Sequence, residues 1–382
     1  MGVLAVSAHS ASSVNLSVLM KSILAEFGWS RSEYAFATTL RLIALVLVMP
    51  LAGRATDALG ARTVMSVGAV VVGLSLLSVS QIDSFTGLAG VSVFMGPGQA
   101  CIGSVAASAL VLRLFHRHRG LAIGILNGGD NVINAGVPRA STALLGEFGW
   151  RPAVATMGTV YLLLGLLIRF VLANDDGRAS SPGHAVTRTA PLPWRDPRLW
   201  AVLATYVAIY AWVTSLQLHF HAYQTDIGRS DVTAANLLSI QILVGAVGAP
   251  FFGWLAQRTS ARTALLVVTI GLAVAAALLW NIHDVQHLTA WAVGYGLVNS
   301  GAVAVLVLVL EECFGGARIG SLLGAAMFFC MTSTLLANQW TAWIFDTYGT
   351  YVPAWRGHTL LMCLAVLPVI WLWRDGRVRS RT

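Results

Sequence analysis

The sequence predicts an all-α integral membrane protein: twelve transmembrane helices in two six-helix bundles, related by a pseudo-two-fold axis along the membrane normal. Three observations predict it. The chain has 382 residues, 57% hydrophobic and only 10% charged, with a mean hydropathy of +0.73, which sets it apart from chains whose solvent is water. Apolar stretches of about 20 residues recur along its length, each able to cross a hydrocarbon core of about 30 Å as a helix. A shift of 200 residues also lays the chain on itself, with Pro50, Gly53, Ala61, Arg62 and Thr63 falling on Pro250, Gly253, Ala261, Arg262 and Thr263. Gly28, Ser30, Ile82, Gly96 and Gly124 fall likewise on Gly228, Ser230, Ile282, Gly296 and Gly324. A repeat this long in an apolar chain implies two similar bundles, and a binding site is expected between them.

The first half is expected to hold spans at Val3 to Leu24, Glu33 to Ala55, Thr63 to Gln81, Phe85 to Leu112, Gly120 to Leu145 and Ala153 to Leu172. The second half follows as Leu199 to Tyr223, Val232 to Ala256, Thr263 to Asn281, Leu288 to Leu310, Ile319 to Trp343 and Thr359 to Trp373. Between them, Asn174 to Pro197 is rich in Asp, Gly, Ser and Pro with almost no apolar periodicity, the composition of a flexible connection. The expected domains are residues 1–173, a linker at 174–197, and residues 198–382 with a short basic tail. An even number of spans in each half returns the chain to the side it started from, so the repeat is parallel.

The net charge of +8 raises the question of nucleic acid, and placement answers it. Arg54, Arg62, Arg113, Arg117, Arg119, Arg258, Arg262, Arg318, the stretch from Arg169 to Arg198 and the tail from Arg374 fall in alternate connections. The opposite connections carry Arg31, Arg151, Arg229 and Arg356 among acids such as Glu26, Glu33, Asp83, Glu147, Asp226, Asp231 and Asp346. This is the positive-inside asymmetry, which puts both termini and the linker in the cytoplasm and argues against nucleic-acid binding. Cys101, Cys313, Cys330 and Cys363 show neither metal nor pairing spacing and read as small buried hydrophobes. Met1 to Leu24 lacks a basic leading region, so a cleavable signal peptide is not expected.

Two polar features interrupt the apolar background. In the fifth span Asn127, Asp130, Asn131 and Asn134 stand at i, i+3, i+4 and i+7, so all four project from one face. Asp130 lies about 15 Å beyond Gly120, near mid-membrane, where an ionisable group is costly unless it faces a cavity or a partner. Burial there favours the neutral acid, which suits Asp130 to carrying a proton; a structural carboxylate held by its asparagines is the alternative. In the second span Arg41 stands about 12 Å from Glu33, a depth at which a cation needs an anion: a solute carboxylate, Asp130, or a water-filled cavity. Its repeat partner is Gln241. His219 and His221, two residues apart on a helix, point in different directions and make a poor metal pair. Gly124 with Gly128, and Gly320 with Gly324, have the small-xxx-small spacing of close helix packing.

The loop after the second span reads Gly53-Arg54-Ala55-Thr56-Asp57-Ala58-Leu59-Gly60-Ala61-Arg62, with glycines for a tight turn and Asp57 within reach of cations and helix ends. It resembles the signature loop of the major facilitator superfamily. The copy at Gly253, Arg258 and Arg262 has Gln257 where the acid stands in the first, so the gate-stabilising charge pairing that the resemblance implies should be weaker in the second half. Phe27-Gly28-Trp29-Ser30-Arg31, Arg119-Gly120-Leu121-Ala122-Ile123-Gly124 and Phe148-Gly149-Trp150-Arg151 are similar to stretches of the monocarboxylate and oxalate/formate branch. That branch keeps an arginine in its eighth helix; here Gly248-Ala249-Pro250-Phe251-Phe252-Gly253 has no basic residue. The resemblance also implies that spans one, four, seven and ten line a central cavity. Repeat mates Gln99 and Asn299 would then contact solute, with Asn15, Tyr206 and Tyr210 as further candidates and interhelical hydrogen bonding as the alternative for each.

The expected function is secondary active transport by alternating access of a small organic solute, an organic anion such as a monocarboxylate, coupled to protons. Efflux of drugs or other hydrophobic compounds and a non-transporting sensor are the alternatives. No cofactor or metal is expected, and no nucleophile with a suitably spaced base suggests an enzyme. A monomer in a bacterial inner membrane, with solute, protons and lipid as its partners, completes the expectation.

Overall fold

Hydrocarbon offers backbone groups no hydrogen-bond partner, so a chain this apolar satisfies them within helices. In a computed structural model that describes residues 22–29, 31–115, 118–171, 192–282 and 284–379, every regular element is helical. Residues 22–27 form α1. The first half continues as α2 (Arg31–Leu59), α3 (Ala61–Val79), α4 (Phe85–Ile102), α5 (Ser104–Leu114), α6 (Arg119–Phe148) and α7 (Trp150–Val171). The second half comprises α8 (Pro197–Asp226), α9 (Asp231–Arg258), α10 (Ala261–Leu279), α11 (Val285–Phe314), a 3-10 turn at Gly316–Arg318, α12 (Ile319–Tyr348) and α13 (Val352–Arg379).

Among the described residues ten helices are long and apolar enough to cross a membrane. The first expected span lies outside the described residues up to position 21. The fifth, α6, has the length, at 30 residues, but its polar stripe keeps it out of the ten. The expected span from Phe85 to Leu112 is present as one stretch long and apolar enough to cross, interrupted at Gly103, whose ψ of −168° is extended, so that α4 ends there and α5 begins at Ser104. One expectation needs correction. The last span begins at Val352 rather than Thr359, because the turn before it closes at Gly349 with φ +68° and leaves the intervening residues free to extend the helix.

Caps fix the starts of several helices. Ser84, Ser230 and Ser260 accept from the backbone N–H three residues on, and Asp284 accepts from Gln286 and His287. Positive-φ glycines make the sharp turns, and Gly28 with Gly228 and Gly149 with Gly349 are repeat mates, so the duplication copied the turns as well as the spans.

The outward faces carry the signature of a lipid solvent. Val160, Leu163, Leu167 and Phe170 on α7, Val267, Ile270, Val274 and Leu278 on α10, and Leu360, Leu364 and Leu367 on α13 are exposed at helical spacing. Each would forgo about 1.5–3 kcal/mol of burial in water; in hydrocarbon that penalty vanishes.

The described chain groups into two compact units. Unit 1 takes residues up to Leu114, then Val132–Ala190 and Gly316–Phe328; unit 2 takes Phe115–Asn131, Pro191–Gly315 and Phe329 onward. The first turns of α6 therefore belong with the second half, and those of α12 with the first. Within unit 1, α3 packs on α7 where Gly73 and Gly158 each face the other's carbonyl, and Gly53 of α2 lies on Gly320 and Gly324 of α12. At the α1–α7 corner, Arg151 Nη2 donates to Glu26 Oε1 at 2.8 Å and Trp150 Nε1 donates to Glu26 Oε2 at 2.5 Å. These bonds, Arg151's first, hold the Glu26 carboxyl below its usual value. Within unit 2, Gly253 of α9 lies on Gly120 of α6, and Gly124 lies on Pro250, the same contacts displaced by one repeat. Trp212 and Trp355 meet edge to face at 5.7 Å where α8 packs on α13.

Gly253→Ala drives a methyl into the Gly120 carbonyl and should destabilise the protein by about 1–3 kcal/mol, read as thermal unfolding in detergent. Gly90→Ala, whose methyl would meet nothing within 4 Å, should leave the transition unchanged.

Candidate functional site: a polar cavity in unit 2

The first turns of α6 border a cavity of about 560 Å³, a volume suited to a small solute. Asn127 and Asp130 reach it from α6, Tyr210, Thr214 and Gln217 from α8, Gln241 from α9, and Tyr295, Asn299 and Ser300 from α11. Ile209, Val213, Leu238, Ile242 and Met331 supply its apolar wall. Every lining residue belongs to unit 2.

Close backbone approach positions the polar groups. A side chain at Gly296 would collide with the Gln241 backbone, and one at Gly248 with the Leu297 carbonyl and Ser300 Oγ. Glycine at both positions lets α11 lie directly on α9, which brings Gln241 and Asn299 to one wall. Thr214 Oγ1 donates to Tyr210 O and Asn127 Nδ2 to Ile123 O at 2.8 Å, each turning a side chain back along its own helix.

Two buried groups at this wall have no hydrogen-bond partner among the described residues: the Gln241 amide nitrogen, in a residue 7% exposed, and the Tyr295 hydroxyl, in a residue 2% exposed. An unmet buried donor costs about 1–3 kcal/mol, so a cavity lined by two of them is suited to a ligand that carries acceptors.

The sequence-predicted residues divide between the units. Asn127, Asp130, Tyr210 and Asn299 line the cavity. Tyr206 does not; its buried hydroxyl donates to the Ala302 carbonyl at 2.9 Å and ties α8 to α11. Arg41 and Gln99 lie in unit 1, joined to each other by a bond from Arg41 Nη1 to Gln99 Oε1. Gly96 stands against the Arg41 carbonyl as Gly296 stands against Gln241, so Arg41 and Gln99 occupy the places that Gln241 and Asn299 hold one repeat later. Asn15 and the side chains of Asn131 and Asn134 lie outside the described residues. The sequence reading missed Gln241 and Tyr295 as cavity residues; the 200-residue offset from Arg41 was the signal for Gln241.

The signature loops hold the helix starts. Gly60, with φ +83°, turns α2 into α3. Asp57 accepts from Gly320 N at 3.1 Å, Ser321 N at 2.7 Å and Ser321 Oγ at 2.6 Å, capping α12, where the helix dipole favours an anion. One repeat later the Gln257 carboxamide, with its oxygen turned toward donors, accepts from Arg119 N at 2.8 Å and Gly120 N at 3.1 Å and caps α6. The second cap is therefore neutral where the first is charged. Charge enters the second half elsewhere: Arg119 pairs with Glu311, and the Arg262 guanidinium lies 3.1 Å from Glu312 and 3.7 Å from Asp375. Arg62 donates to the Arg169 carbonyl, and Arg258 lies over the Trp254 ring at 5.7 Å.

Asp57→Ala should cost about 0.5–2 kcal/mol of stability and Gln257→Ala a similar or smaller amount, with Asp57→Asn milder than Asp57→Ala because an acceptor remains. Thermal unfolding in detergent checks the order; a neutral Gln257→Ala would show that the second cap contributes nothing.

Comparison with known proteins bears on the family and the fold. The Major Facilitator Superfamily family profile matches residues 2–333. Monocarboxylate transporter 13 of Rattus norvegicus is 26% identical over 309 residues, covering 79% of this chain and 71% of its own. Monocarboxylate transporter 11 of Homo sapiens is 25% identical over 365 residues, covering 88% of this chain and 74% of its own. Among solved structures, the Major Facilitator Superfamily transporter FucP in the outward conformation shares the fold at a TM-score of 0.76 and 12% identity, covering 97% of each chain. The human organic anion transporter MFSD10 does so at 0.75 and 12% identity, covering 96% of this chain and 98% of its own. Family match, helical architecture and membrane-facing surfaces agree: the chain belongs to the Major Facilitator Superfamily of membrane transporters.

Proposed function

We propose that the protein carries a small organic acid across the membrane together with a proton, by exposing the unit 2 cavity alternately to the two sides. The observation that carries this reading is the pair of unmet buried groups, Gln241 Nε2 and Tyr295 OH, beside Asn299 and Asp130 in one cavity. A carboxylate offers the acceptors that both groups lack. It also meets a carboxyl at Asp130, and two like charges in so small a cavity repel strongly. Protonation of Asp130 removes that repulsion, so proton and organic anion bind together and the pair crosses without net charge. The relatives named as monocarboxylate transporters, and the structural neighbour named as an organic anion transporter, support the substrate class.

In this reading Gln241, Tyr295 and Asn299 orient the carboxylate and Asp130 carries the proton, with Asn127 beside it and Tyr210 closing the wall. Arg41 and Gln99, joined to each other within unit 1, are further candidates for solute contact there. The two capped helix starts, α12 on Asp57 and α6 on Gln257, serve as latches that break and re-form in the cycle. The moving bodies are the two six-helix bundles of the duplication, residues 1–173 and 198–382, joined by the 174–197 connection. The arginine-rich connections and both termini face the cytoplasm of a bacterial cell, and the carrier works as a monomer.

A second reading, efflux of lipophilic cations, is favoured by one observation: among the described lining residues Asp130 is the acid and none is Lys or Arg. Charge class separates the two. In proteoliposomes, organic acids should compete for uptake and lipophilic cations should not, with anion affinity rising as pH falls; the reverse pattern supports efflux. Asp130→Asn, a permanently neutral carboxamide, should keep binding but lose its pH dependence and the coupled proton. An unchanged proton-to-solute ratio would remove Asp130 from the mechanism. Tyr295→Phe should weaken binding of the acid about tenfold, the loss of one hydrogen bond to a charged group.

A further inference from the structure

Unit 2 holds a second cavity, a groove of about 820 Å³ between α10 and α11. Its polar groups gather at one end, where Asn281, Asp284 and His287 flank the turn between the helices. From there it runs along apolar wall to Val298, eleven residues past His287, or about 16 Å of helix. That is about half of a 30 Å hydrocarbon core, the depth of one leaflet. The groove opens on the face of α10 that exposes Val267, Ile270, Val274 and Leu278, so hydrocarbon is the phase that covers it.

The duplication supplies an internal control. Two glycines, Gly271 and Gly294, line this groove, and one repeat earlier the same positions are Val71 and Phe94. A methyl at Gly294 would meet nothing within 4 Å, so no neighbouring atom requires glycine there. The inner wall is rigid: Trp291 Nε1 donates to Ala275 O at 2.8 Å, and the indole stacks on Tyr295 at 5.1 Å and 5°.

The mouth carries charge. Asp284 accepts from the backbone N–H of His287 and Gln286 and lies 3.0 Å from His287 Nδ1. The His287 N–H holds its carboxyl below the usual value, so it is an anion at neutral pH. Both side chains are more than half exposed and reachable by a headgroup.

We infer that this groove is a binding site for one zwitterionic phospholipid, its acyl chain along Gly271 and Gly294 and its ammonium on Asp284, with His287 and Asn281 toward the phosphate. A chain passing from bilayer to groove gains no hydrophobic free energy, so retention rests on packing against Trp291 and on the headgroup contacts. Tyr295 lines both this groove and the solute cavity, so a bound chain touches a residue that the two cavities share.

The test is native mass spectrometry of the full chain equilibrated with equal amounts of phosphatidylethanolamine and phosphatidylglycerol. Wild type should retain phosphatidylethanolamine in preference. Gly294→Phe, which restores the first-half side chain, should reduce retention about tenfold. Asp284→Asn should keep a lipid while losing the headgroup preference. Equal retention by wild type and a folded Gly294→Phe, or an unchanged preference in Asp284→Asn, overturns the proposal. If Gly294→Phe fails to fold, Gly294→Leu replaces it and Asp284→Asn decides the headgroup. Because no arm measures uptake, the result is independent of which solute the protein carries.

Discussion

A hydrocarbon phase cannot hydrogen-bond, and the rest of this structure follows from that constraint. It forces the described backbone into helices, lets α7, α10 and α13 show rows of Leu, Val and Phe outward, and makes every buried polar group costly unless it finds a partner. Asp130 and Asn127 therefore turn toward the one cavity where Tyr210, Gln217, Gln241 and Asn299 also gather. Water-soluble chemistry in such a chain has few places to be, which is why so small a set of residues carries the functional argument.

Glycine decides where helices approach closely enough to build that place. Gly96 against Arg41 and Gly296 against Gln241 are one contact made twice, and so are Gly320 on Gly53 and Gly120 on Gly253. Duplication preserved these backbone contacts while the side chains beside them diverged. Arg41 became Gln241, Gln99 became Asn299, and the charged cap Asp57 became the neutral cap Gln257. One copy thus ties up a cation with a glutamine, whereas the other leaves an uncharged amide nitrogen without a partner among the described residues at a cavity wall. The asymmetry needed for a carrier to treat its two sides differently is written on a symmetrical frame.

Much of this was legible in the sequence, because hydropathy and the repeat are local or periodic signals. Hydropathy and the repeat place the spans from Thr63 and Thr263 to within a few residues, and the residue pattern singles out Asn127, Asp130, Tyr210 and Asn299, which line the cavity. What escaped depends on contacts between distant segments. Nothing near Arg41 points to Gln99, 58 residues away, as its partner, and nothing near Arg119 points to Glu311, 192 residues away. The break at Gly103 lies inside a span already holding Gly96 and Gly98 within its helix, so glycine alone is a weak signal there. Tyr206 and Tyr210 sit one turn apart on α8, yet only Tyr210 faces the cavity, a distinction set by how α8 rotates against α11.

The central claim is that Asn127 and Asp130 of α6 and their partners in the cavity face water and solute rather than lipid or a dry helix contact. Single cysteines at Asn127, Gln241 and Asn299, and on the lipid face at Val274 and Leu278, test it in a background lacking the four native cysteines. A membrane-impermeant thiol reagent should label the first three and be slowed by organic acids, while the lipid-face positions stay unlabelled. Labelling of Asn127, Gln241 and Asn299 no faster than at Val274 and Leu278 would contradict the account.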